Sequence, residues 1–311
     1  MSWAKRPVAA MLLGALAACA TPETDRLLSV RDELPERTEL AGVPFFPQEE
    51  AYCGPAALAS VLAWSGLPAT QRRIAAEVYT PGRGGTLQAD ILASARRNGR
   101  MAFPVETLAD IVREVSKGRP VLVFQNLALD WYPRWHYAVV FGYDLGAGTM
   151  LLHSGREERH VVELAAFERT WVRGGSWALI VLPPGKLPQN VTEKAALDAA
   201  AALSRAGSED AAEAAFTAIS RRWSANTVAW LGLGNARYAL GKYRGAERAF
   251  RAAIERAPRN ADAWNNLAYA LARQGRRADA LAAARKAVAF GAPDNETYRD
   301  TLREMSSSET L

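Results

Sequence analysis

With 311 residues, 49% of them hydrophobic and 23% charged, the chain is long enough to bury two modest cores and too apolar to be disordered. Its net charge of +5 is small and scattered, which argues against nucleic acid as a partner. Two cysteines, Cys19 and Cys53, and three histidines, His136, His153 and His160, show no zinc-ligand spacing, and no phosphate-loop lysine follows the glycines near residue 84. No metal or nucleotide cofactor is implied.

Residues 1–18 place Lys5 and Arg6 before an apolar run, Val8 to Ala18, that is too short to span a bilayer and reads as a signal segment. Leu16-Ala17-Ala18-Cys19 resembles a bacterial lipobox. The resemblance implies cleavage before Cys19 and lipid on its thiol. Because Ala20 and not aspartate follows, it also implies the outer membrane; the periplasmic side is the expected one, and the sequence does not fix the leaflet. Residues 19–42 are charged and lack sustained periodicity, so they are expected to be a tether. With Cys19 lipidated, Cys53 is the one thiol left, and no intramolecular disulfide can form.

Val43 to Pro47 leads as a short extended piece into Gln48-Glu49-Glu50-Ala51-Tyr52-Cys53-Gly54-Pro55. Proline is tolerated at the first helical positions, so a helix is expected to begin at Cys53, with Leu58, Val61, Leu62 and Ser65 on one face and Gly66 ending it. A thiol at a helix N-terminus faces the positive end of the macrodipole, which lowers its pKa and makes it a candidate nucleophile. His136 opens His-Tyr-Ala-Val-Val-Phe-Gly-Tyr, a β-branched and aromatic run that reads as a strand and supplies a candidate base. Gln48 offers an amide that could join the Cys53 N–H in an oxyanion hole.

Glutamine, cysteine–glycine, then a strand-borne histidine is the chain order of papain-like cysteine peptidases. From about Val43 to Leu182 the sequence resembles, more narrowly, the bacteriocin-processing, double-glycine leader peptidase group. The resemblance implies an α+β papain-like domain with Cys53 as nucleophile, His136 as general base and Gln48 at the oxyanion. Such enzymes carry Asp or Asn on the strand after the histidine. Here that place reads Leu151-Leu152-His153-Ser154-Gly155, making His153 the expected third member, with Asp144 or Glu157 as other groups that could help.

Within residues 43–183 the punctuation predicts helices over 71–79 (cap Thr70), 87–98 (cap Thr86) and 108–117 (cap Thr107). Strands are expected at 102–105, 121–125, 136–143, 149–153, 159–164 and 177–182, forming an antiparallel sheet. Gly82 to Gly85 reads as a turn more than a lid. The loop 126–135, with Trp131, Tyr132 and Trp135, could line a substrate groove or cover the sheet edge. Pro183, Pro184 and Pro188 mark a linker over 184–192.

Beyond it a 34-residue period appears: Trp230, Leu233, Gly234, Ala246, Phe250, Ala253 and Pro258, then Trp264, Leu267, Ala268, Ala280, Ala284, Ala287 and Ala292. This is the tetratricopeptide pattern, with a weaker first repeat near Ala212 and Phe216. An all-α stack is expected over 193–305, with 297–305 as its cap and 306–311 as a tail.

The expected function is a membrane-anchored cysteine peptidase acting on a peptide or protein substrate through a Cys53 thioester, with the repeats recruiting substrate or a protein partner. A peptidoglycan amidase or transpeptidase on the same fold, and a catalytically inactive binding scaffold, are the alternatives.

Overall fold

The computed structural model describes residues 21–48, 52–292 and 295–307. The signal segment, Cys19 and Pro293 lie outside them. The chain divides into two compact units, residues 1–91 with 104–180, and residues 92–103 with 181–311.

The described part of the stretch expected to be a tether, residues 21–42, folds into a helix and a strand. Helix α1 (Pro22–Ser29) has proline in its first turn but no side-chain cap of its own. Its amides are held from 145 residues away: the buried Glu168 carboxylate accepts from the N–H groups of Glu23 (3.0 Å) and Thr24 (2.7 Å). Glu23 in turn accepts from the Leu108 N–H at 3.1 Å, and Leu27 is fully buried. Strand β1 (Arg37–Glu39) then pairs antiparallel with Gly142, Tyr143 and Asp144. Neither partner is local, so no periodicity or capping signal in residues 19–42 betrays them. Glu168→Ala should strand two helix-end amides and cost about 1–3 kcal/mol, seen as a lowered melting temperature that Glu168→Gln partly restores.

Helix α2 (Cys53–Trp64) starts at the thiol, as expected, but is buried from Gly54 to Leu62 on all sides and not along one stripe. The Ser60 hydroxyl donates to the Pro44 carbonyl, pinning the preceding segment along it. Helix α3 (Gln71–Val78) is capped by Thr70, whose Oγ1 accepts from the Arg73 N–H at 3.3 Å. Strands β2 (Tyr79–Thr80) and β3 (Gly85–Thr86) form a small hairpin around Gly84, whose φ of +61° suits glycine, so the glycine-rich piece is a turn. Thr86 is not a helix cap: its Oγ1 is buried without a partner, and its side chain lies against Gly54.

Helix α4 (Gln88–Arg97), strand β4 (Met101–Pro104) and helix α5 (Leu108–Ser116) follow, α5 capped by Thr107, which accepts from the Asp110 N–H at 3.1 Å. Then come β5 (Val121–Asn126), β6 (Trp135–Asp144), β7 (Thr149–Ser154), β8 (Glu157–Glu163), helix α6 (Leu164–Arg173) and β9 (Ala178–Leu182). The strands run β9-β5-β6-β7-β8 with every neighbour antiparallel. Helix α6 was not expected. It carries Glu168 and the buried Phe167 and Trp171, so its helical face is set by packing.

The C-terminal helices are α7 (Glu193–Arg205), α8 (Glu209–Arg222), α9 (Thr227–Ala239), α10 (Tyr243–Arg256), α11 (Ala261–Ala272), α12 (Arg277–Phe290) and α13 (Glu296–Ser307). Thr192, Asn226 and Asn260 cap α7, α9 and α11 through side-chain oxygens that accept from Ala195, Ala229 and Ala263 N–H groups at 3.2, 2.8 and 2.9 Å. The caps fall one 34-residue period apart. Small residues sit at the crossings: Ala246, Ala253, Ala280, Ala284 and Ala287 are fully buried. A Cβ on Gly234 would stand 2.3 Å from the Phe250 ring. Gly234→Val is therefore expected to destabilise the stack by about 1–3 kcal/mol, read from its denaturant midpoint.

Candidate active site

Cys53 reaches its place because α2 begins there, and its environment explains its chemistry. The start of α2 packs on β6, and the backbone N–H groups of Tyr137, Gly54 and Cys53 itself favour the thiolate. Two of these are first-turn helix amides, and the third belongs to the residue that follows His136 on β6. The helix start and the histidine strand, more than eighty positions apart in sequence, therefore meet. Burial nonetheless outweighs the three N–H groups and pushes the thiol pKa up. The lowered thiol expected from helix position alone is thus reversed by desolvation.

His136 is partly buried, and its Nε2 lies 2.9 Å from Ser154 Oγ. Burial, then the charges of Arg134 and His160, drives its pKa down to about 4. No hydrogen bond joins the thiol to the imidazole among the described residues. Both groups are held neutral at pH 7, and among the described residues no carboxylate acts on the ring to favour its charged form.

The third-member expectation is corrected. Alternate residues of a strand face opposite ways, and Val139 pairs with His153, so His153 shares the face of Tyr137 and not that of His136. It is buried there, stacked on Phe141 at 4.2 Å, with Nδ1 toward the Glu158 carbonyl and Nε2 3.1 Å from the Val43 carbonyl. It holds the segment before Gln48 against the sheet. Ser154, one residue on, takes the place beside His136. Counting back from the Asp144–Thr149 pair at the hairpin turn would set His153 opposite Val140, on the face of His136; the bulge between Val140 and Gly142 shifts the register by one and puts Ser154 there instead. Asp144 accepts from the Ala147 N–H at that far turn, and Glu157 pairs with His160, so neither orients His136.

Gln48 is buried, and its backbone N–H donates to the Gly155 carbonyl at 3.0 Å, which fixes it next to Ser154. Its Oε1 is buried without a hydrogen-bond partner. Such an uncompensated amide is costly in a finished core and expected in a site that receives a polar ligand. Beside Cys53, Tyr52 stacks on Tyr79 at 5.0 Å along a cleft of about 730 Å³ that Gln71 and Arg72 also line. Among the described residues no group of His, Cys, Asp and Glu is placed to hold a metal, and no helix is long and apolar enough to cross a membrane.

Residues 40–178 match the Peptidase_C39 like family, and residues 231–295 match a tetratricopeptide repeat. A protein of Bacillus anthracis described as a C39-like peptidase is 20% identical, with a TM-score of 0.42, over 48% of this chain and 98% of its own. The Yersinia enterocolitica type III secretion chaperone SycD, solved with a peptide of the translocator YopD, is 18% identical, with a TM-score of 0.36, over 40% of this chain and 100% of its own. The Arabidopsis OM64 TPR domain is 18% identical, with a TM-score of 0.36, over 37% and 95%. No curated protein matches the chain. The chain carries a Peptidase C39-like domain followed by C-terminal tetratricopeptide repeats.

Proposed function

We propose that the chain is a cysteine peptidase in which Cys53 attacks a peptide carbonyl and His136 moves the proton. The observation that carries this reading is that the helix beginning at Cys53 packs on β6, where Tyr137 acts on the sulfur one residue from an imidazole whose Nε2 is already engaged by Ser154. That engagement leaves Nδ1 for the thiol. The thiol proton passes to Nδ1 as the S–C bond forms, and the negative carbonyl oxygen is held by the Cys53 N–H and the Gln48 amide. Collapse breaks the C–N bond, and the imidazolium protonates the leaving amine. Water, deprotonated by His136, then hydrolyses the thioester. The cleft along Tyr52, Arg72 and Tyr79 would take part of the peptide. By the same reading Cys19 is lipidated at the outer membrane on the periplasmic side, and the repeats recruit a protein.

Among the described residues no carboxylate orients His136, which favours a second reading, an inactive scaffold. Exposure to iodoacetamide and to a peptidyl electrophile, followed by mass spectrometry, separates the two. A competent site is labelled at Cys53 far faster by the peptidyl reagent, and a scaffold is labelled slowly by both. Peptide and muropeptide pools then show which bond is cut. Because the thiol pKa is raised, alkylation by iodoacetamide should keep rising with pH past neutrality instead of levelling below it.

A further inference from the structure

The loop between β5 and β6 gives its largest side chains to solvent. Trp131 is 81% exposed and Tyr132 72%, and Leu127, Leu129 and Trp135 are exposed beside them. Single exposed apolar residues are ordinary, but five within nine residues make a patch that marks an interaction surface. The loop keeps its shape without those side chains. Asn126, 1% exposed, accepts through Oδ1 from the N–H groups of Ala128 (3.1 Å) and Arg134 (2.9 Å) and donates from Nδ2 to the Leu129 carbonyl (3.3 Å). The Leu127 N–H donates to the Arg134 carbonyl at 2.9 Å, and the Tyr132 N–H to the Leu129 carbonyl at 3.1 Å. Trp131 and Tyr132 are displayed by a braced turn, while Trp135 at its base stacks on Phe124 at 5.3 Å.

Their exposure decides between partners. Peptide and ligand sites are concave and cover the side chains that line them, whereas Trp131 stands clear of its surroundings. A protruding Trp-Tyr-Pro-Arg turn with leucines at its base has the composition that a bilayer interface receives, with rings at headgroup level and a guanidinium toward lipid phosphate. Asp130 is the one acidic side chain in the loop.

The first of the described residues lie close by. Arg173, the last residue of α6, donates from Nη2 to the Asn126 carbonyl at the root of the loop (3.2 Å). Glu168, five residues earlier on α6, holds the amides of Glu23 and Thr24. Five helical residues rise about 7.5 Å, and the two steps from Thr21 back to Cys19 reach at most about 7 Å. A lipid on Cys19, two residues before Thr21, would tether the domain at the α1 end of this path.

We infer that residues 127–135 insert their aromatic tip into the bilayer interface and so fix how the C39-like domain sits over the membrane. The inference rests on the anchoring part of the proposed function and not on catalysis. It is tested on the full chain, processed by its host and reconstituted in phosphatidylethanolamine–phosphatidylglycerol vesicles with brominated acyl chains. Tryptophan emission should be quenched by these vesicles and not by unbrominated ones, and Trp131→Phe should remove at least about half of the quenching. Loss of backbone amide protection over 127–135 in Trp131→Asp/Tyr132→Asp is the companion readout. No quenching, or equal quenching in Trp131→Phe, overturns the inference, as does protection of the loop by an apolar peptide in place of vesicles. If mass spectrometry finds no lipid on Cys19, the anchoring reading fails, while quenching of the unlipidated chain added to the same vesicles still decides the loop.

Discussion

Cys53→Ala is expected to abolish peptide cleavage while leaving the C39-like domain folded. Removing the nucleophile of a thiol or serine peptidase costs on the order of 10⁴-fold or more, because what remains is only substrate binding and the oxyanion donors. The structural cost is small by comparison. Alanine is the best helix former, the thiol side chain is a small hydrophobe, and the lost partners are weak sulfur contacts with N–H groups, so a stability change within about 1 kcal/mol is expected. His136→Ala should lose turnover nearly as completely but leave the Cys53 thiol present and open to alkylation, which tells a missing base from a missing nucleophile. Turnover by Cys53→Ala at the native rate would remove the assignment.

Much of this site was legible because its parts are local. Gly54-Pro55 announces a helix that starts at a thiol, and the run after His136 can be nothing but a strand. The small residues of the repeats announce their own spacing, since a Cβ at Gly234 has nowhere to go. What escaped the sequence is set by pairing between distant pieces. Helix α1 is capped by Glu168, and β1 exists because β6 offers it an edge. The choice between His153 and Ser154 depends on a single-residue register, and a slip of one sends a side chain to the opposite face. The direction of the Cys53 shift was misjudged for a related reason. Helix position predicts a lowered thiol, but how deeply the strand and turn close over it is a property of the whole domain.

That single-residue register yields the other large effect: Ser154→Asp should speed turnover roughly 10–100-fold. A serine hydroxyl can accept from Nε2–H or donate to a bare Nε2, so it leaves the imidazole tautomer unfixed, and only the first arrangement frees Nδ1 to take the thiol proton. A carboxylate can only accept. It also stabilises the imidazolium formed in the transition state, where an opposite charge at this range raises a histidine pKa by roughly 1–3 units, each worth about tenfold. The sign is checkable in the pH profile. In the native chain neutral His136 persists down to about pH 4, so the acid limb of kcat/KM should lie near there. In Ser154→Asp the limb should move up, toward roughly pH 5–7. Ser154→Asn separates the two contributions, since an amide oxygen can fix the tautomer but adds no charge: its rate should rise by less, with the limb unmoved. If Ser154→Asp is no faster and its acid limb stays near pH 4, the serine at 2.9 Å is a neighbour of His136 and not the group that orients it.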